Sequence, residues 1–78
     1  MTNKAQAEAN AKAMEYAQYH ANAIAEEIAI VAKAGKASLE YVINGDLENI
    51  DMRARVCTIL RANGYYVKTM RNYLFIAW

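Results

Sequence analysis

One histidine and one cysteine, His20 and Cys57, are the natural starting points for acid–base, nucleophilic or metal chemistry in this sequence. His20 closes the run EYAQYH, beside Glu15, Tyr16 and Tyr19. A general base needs an orienting partner and a proton to abstract within hydrogen-bond reach. Nothing in that run supplies both, so His20 reads as a surface or packing residue. A metal centre needs several converging ligands, and Glu26 and Glu27 do not stand at the Glu-x-x-His spacing from His20. Cys57 falls on an apolar helical stripe, where cysteine acts as a small hydrophobe. A reactive thiol needs partial exposure and an activating neighbour. Ser38 has no triad partner. The three glycines, Gly35, Gly45 and Gly64, each suit a turn or helix end, leaving no phosphate-binding loop. The expectation is a non-enzymatic protein without catalytic residues, metal or cofactor.

A chain of 78 residues is expected to form a single domain over 1–78. Near this size only roughly 60% of the unfolded surface is buried, so stability is modest. A lone cysteine rules out an intramolecular disulfide and points to a reducing, cytoplasmic setting. The opening MTNKAQAEAN lacks the apolar core of a secretory signal, and no apolar run is long enough to span a bilayer.

The elements that would position any site follow from periodicity. AQAEANAKA, residues 5–13, has alanine at every odd position, a strand-like rhythm. Alanine, however, is the best helix former and a poor strand former. Met14, Ala17, Ala21, Ile24, Ile28 and Val31 then follow at spacings of three and four, one helical stripe. Thr2 or Asn3 suits the start of this helix and Gly35 its left-handed end. From residue 3 to 34 it would be ~48 Å long. A compact globule of this size is only ~30 Å across. The alanine-rich turns therefore project beyond the body. They either end freely or dock on another subunit, with Met14, Ala17, Ala21 and Ile24 as the candidate oligomer face.

SLEYVI, residues 38–43, alternates Leu39, Tyr41 and Ile43 against Ser38, Glu40 and Val42, which predicts a strand. The following NGD is a turn whose Asp46 can cap the next helix, over roughly 47–62, with Asn49 as the alternative cap. Ile50, Ala54, Cys57 and Leu60 form its expected buried stripe, flanked by Leu47, Val56 and Ile59. Asn63 and Gly64 end it. YYVKTMRNYLFIAW then reads as a hairpin turning at Arg71 and Asn72. One side pairs Met70 with Tyr73, Lys68 with Phe75 and Tyr66 with Ala77. The other pairs Thr69 with Leu74, Val67 with Ile76 and Tyr65 with Trp78. The second set makes the better core, with Trp78 packed near Tyr65, Val67 and Ile76.

YLFIAW is apolar on both sides, as a central strand should be. A right-handed crossover between the first two strands then leaves the middle place to the third. The expected fold is α+β: a long helix over 1–35, then a β-α-β-β unit over 36–78. Both helices cover one face of a three-stranded sheet. Tyr66, Lys68, Met70, Tyr73 and Phe75 remain on the other, a patch suited to a partner.

Charge is unevenly laid out around a net +1. Residues 37–51 carry Glu40, Asp46, Glu48 and Asp51 without a base, and residues 52–78 carry Arg53, Arg55, Arg61, Lys68 and Arg71 without an acidic side chain. Such segregation steers a charged partner or is neutralised within the fold, and the second is the simpler account.

Gly35 and Lys36, then Gly64, Tyr65 and Val67, then Ile76 and Trp78 follow an order of long helix, Gly-Lys, strand, helix, G-Y-x-V, turn and I-x-W. In that order the chain resembles a recurring type of small phage-encoded α+β protein of unknown role. The resemblance implies a phage or prophage origin and expression inside a host cell. It places the chain in kind with host-takeover factors, inhibitors of host defence and minor virion or assembly components, and transfers no catalytic residue.

Two functional classes remain. One is a protein–protein interaction module, self-associating through its first helix and binding another protein through the aromatic sheet face or a sheet edge. The other is a nucleic-acid binder using Arg53, Arg55, Arg61 and Arg71 with the neighbouring aromatics. Its ribonucleoprotein signature is absent and its basic footprint small, so the interaction module is the preferred expectation.

Overall fold

The computed structural model describes residues 4–78. The expected capping residues Thr2 and Asn3 lie outside the described residues. Helix α1 spans Lys4–Lys33, strand β1 Ser38–Val42, a 3-10 turn Gly45–Glu48, helix α2 Ile50–Ala62, and strands β2 and β3 Tyr66–Thr69 and Tyr73–Ala77. The sheet order is β1–β3–β2, with both pairings antiparallel. β1 and β2 therefore run parallel with β3 between them. The hairpin register pairs Tyr66 with Ala77, Val67 with Ile76, Lys68 with Phe75 and Thr69 with Leu74. α1 packs on α2 and β1, and α2 on β2, so both helices lie on one face of the sheet. This is the α+β arrangement expected from the sequence.

Both helices stop by the same device. At the end of α1, Lys36 N–H donates to the Val31 carbonyl at 3.1 Å and Gly35 N–H to that of Ala32 at 3.0 Å. At the end of α2, Tyr65 N–H donates to Leu60 at 3.2 Å and Gly64 N–H to Arg61 at 3.0 Å. These are paired Schellman closures, which need a left-handed residue. Gly35 and Gly64 supply it at φ 89° and 92°, a conformation costly for a residue with a Cβ. The closure of α2 also brings Tyr65 against the core.

Ala17, Ala21, Ile24 and Ile28 of α1 meet Leu47, Val56, Cys57, Leu60, Val67, Leu74 and Ile76 in one buried cluster. The helical stripe is thus real, but its use as an oligomer face is not. Ala17, Ala21 and Ile24 are enclosed by the chain's own second helix and sheet, and of the four candidates only Met14 stays exposed. The small alanine side chains let α2 approach closely at that point. Lys4–Lys12 are all exposed, and the molecule extends 47 Å along its long axis against 23 and 18 Å across. α1 therefore overhangs the body by its first turns.

Three further expectations need correction. The second helix starts at Ile50, and Asn49, not Asp46, caps it: Asn49 Oδ1 accepts the Met52 N–H at 2.9 Å. Asp46 lies in the preceding 3-10 turn instead. Ile50, 73% exposed, and Ala54 leave the buried stripe. At ~100° per residue, Leu60 lies at the middle of the buried arc, Ile50 ~80° and Ala54 ~120° away from it. Finally, Trp78 is 40% exposed and stands outside the core. It lies one residue beyond β3, where its backbone N–H bonds the Ala37 carbonyl at 3.2 Å, and Tyr65 takes the packing position there.

Candidate functional site

Strand alternation divides the sheet residues between two faces. Leu39, Tyr41, Val67, Leu74 and Ile76 point to the helices and join or pack on the core. Tyr66, Lys68, Tyr73 and Phe75 fall on the opposite face, away from α1 and α2. Met70 follows at the hairpin turn, its N–H bonded to the Tyr73 carbonyl at 2.8 Å. Four of the five sequence-selected residues, Tyr66, Lys68, Tyr73 and Phe75, therefore share a sheet face, with Met70 at its hairpin end.

Tyr66, 59% exposed, meets Phe75 edge to face, with ring centroids 6.4 Å apart and planes at 74°. Edge-to-face contact is one of the favoured geometries for an aromatic pair. Tyr73 and Phe75 are half-buried. β1 adds Glu40 and Val42 to the same face, opposite Phe75 and Tyr73. Val42 is 61% exposed and extends the apolar area to the β1 edge. Its alternation against Leu39 and Tyr41 was readable in SLEYVI; its adjacency to Tyr73 required the sheet order.

The basic residues do not form one surface. Arg53 Nε and Nη2 donate to the carbonyls of Leu47 at 2.9 Å and Glu48 at 3.2 Å, tying the 3-10 turn to α2. Arg55 Nη1 lies 3.5 Å from Met14 Sδ on α1. Arg61 Nη2 donates to the Val67 carbonyl at 2.8 Å. These three side chains thus leave α2 in different directions, toward three different elements. Arg71 is exposed in the hairpin turn.

A polar pair escaped the sequence reading. His20 Nε2 is 3.0 Å from Asp46 Oδ2. The groove there, about 450 Å³, is lined by Glu15, Tyr16, Tyr19, His20 and Asp46. An adjoining hollow of about 460 Å³ adds Gly45, Asn49 and Met52 and shares Tyr16 and Asp46. The pair orients the imidazole, while the other described side chains lining the groove are carboxylates and phenols, with no serine, threonine or cysteine nucleophile among the described residues there. Only the chain reversal after α1 brings Asp46 to His20, so no local spacing announces it.

Cys57 is buried, with its Sγ 4.0 Å from Thr69 Oγ1. No group of three or more histidine, cysteine, aspartate or glutamate side chains converges among the described residues. Among those residues, no helix is long and apolar enough to cross a membrane. No protein-family model matches the chain, and neither the curated proteins nor the solved structures compared with it contain a significant match.

Proposed function

We propose that this protein works by binding another protein through the uncovered face of its sheet and carries no catalysis of its own. The observation behind this reading is that Tyr66, Lys68, Tyr73 and Phe75 share one face, with Met70 at its hairpin end, while both helices occupy the other. A contiguous aromatic patch with a polar rim is the composition of an interface core. Its Tyr66 and Phe75 rings already touch, which lowers the side-chain ordering that association must supply there. The resemblance to small phage proteins points to a bacterial host protein as the partner, inside the host cytoplasm. Self-association through the overhanging start of α1 accompanies this reading, on a surface separate from the sheet.

The test is affinity capture from bacterial lysate with wild type, a Tyr66→Ala, Tyr73→Ala variant and an Arg53→Ala, Arg55→Ala variant. Each variant is first checked for cooperative melting. Truncating a central aromatic of an interface costs on the order of 2 kcal/mol or more. The tyrosine variant should therefore lose the captured partner while the arginine variant retains it. The opposite ranking, with binding that falls steeply as salt rises, would transfer the function to nucleic acid.

A further inference from the structure

The two edges of the sheet are not equivalent. In an antiparallel pair, alternate residues direct both backbone groups to the partner strand, and the residues between direct theirs away. Trp78 N–H bonds the Ala37 carbonyl at 3.2 Å and Ile43 N–H that of Asn72 at 2.9 Å. That phase aims Leu39 and Tyr41 at β3 and leaves the backbone groups of Ser38, Glu40 and Val42 pointing outward. On the other side, the Met70 N–H to Tyr73 bond makes Val67 and Thr69 the outward residues of β2.

β2 is less open to a further strand than β1. The Arg61 guanidinium of α2 donates to the outward Val67 carbonyl at 2.8 Å, so an added strand there would have to share or displace that bond. At β1, no described residue bonds the outward groups of Ser38, Glu40 or Val42. Unprotected edges of this kind pair with other chains. Alongside lies an open hollow of about 480 Å³ lined by Val31, Lys36, Ala37, Ser38, Leu39 and Glu40, room for a side chain of an added strand.

We propose that β1 takes up an extended peptide segment of a partner protein, with a basic residue opposite Glu40 and an apolar residue opposite Val42. This rests on the reading of the protein as a partner-binding module but not on its tyrosine patch. Main-chain bonds to Ser38, Glu40 and Val42 supply affinity, and side chains opposite them supply selection. Glu40 is exposed and has no ion pair among the described residues. A cation opposite it is stabilising, and a like charge there is destabilising. The same rule disfavours a second copy of this chain. The two-fold register using all three outward residues sets Glu40 against Glu40.

The probe is a capped heptapeptide alternating threonine and valine around a central lysine, titrated into isotope-labelled protein and followed by amide NMR. A second peptide carries glutamate at the centre. The lysine peptide should shift and protect the amides of Ser38, Glu40 and Val42, leave those of Val67 and Thr69 unmoved, and bind several-fold more tightly than the glutamate peptide. Glu40→Lys should reverse that preference. Glu40→Pro should fold, because it removes an outward N–H that β3 does not use, and should not bind. The Tyr66→Ala, Tyr73→Ala variant should bind the lysine peptide like wild type, so loss of the captured partner in that variant reports on the patch alone. Absence of shifts at β1, shifts at β2 instead, or equal affinity for both peptides overturns the proposal.

Discussion

His20 and Asp46 meet 3.0 Å apart across 26 residues of chain, joining the middle of α1 to the 3-10 turn before α2. The Asp46 side chain is 72% exposed, so water competes for the contact. Exposed pairs of this kind contribute about 0.2–1 kcal/mol. His20→Ala and Asp46→Asn should each lower the urea midpoint by no more than that range implies. They should instead speed hydrogen exchange at Leu47 and Asn49, whose amides close the turn onto Asn44 and Asp46. A loss above 2 kcal/mol would mean that the pair organises the core.

The start of α2 depends on Asn49. Its side chain satisfies the Met52 N–H, one of the donors that a helix leaves unpaired at its first turn. Asn49→Ala should cost ~1 kcal/mol in chemical denaturation, and Asn49→Asp much less. Helical content should fall little in Asp46→Ala, since Asp46 caps nothing in α2.

The sheet was legible in the sequence because period-two alternation and a crossover rule act together. Leu39, Val67, Leu74 and Ile76 had to share a face, and only YLFIAW was apolar enough for the centre. The α1 stripe was equally legible, but not what would cover it. Spacing shows that Ala17, Ala21 and Ile24 are buried, and cannot say whether by a second subunit or by α2. The second helix was misphased by Ile50, an apolar residue at a helix start, where few neighbours surround it. Asp46 was legible as a turn residue, whereas its bond to His20 arises from tertiary placement and has no local signature.

The core ranking should run opposite to residue size at one position. Leu74 is fully buried, and truncating such a residue typically costs ~2–5 kcal/mol. Leu74→Ala should thus remove much of the stability of so small a protein. Trp78, larger but outside the core, should be replaceable by alanine with cooperative melting preserved. Thermal melts of the two variants side by side decide this, and a collapsed Trp78→Ala transition would place the ring in the core after all.

Self-association, if carried by α1, must use its overhang. Residues 4–12 are all exposed and none joins the core, so removing residues 1–12 should leave the urea transition of the sheet nearly unchanged. A short alanine-rich helix is marginal alone in water, and docking against a second copy gives it tertiary support. Light scattering at high micromolar concentration should then show an oligomer for the full chain and a smaller mass for the truncated one. A clean monomer for the full chain would remove self-association. Ala17→Glu offers the contrasting case. Ala17 sits at 0% exposure on the face of α1 that meets the rest of the core, and a buried unpaired carboxylate is strongly unfavourable. That variant should lose its fold along with any assembly, whereas the truncation should lose assembly alone.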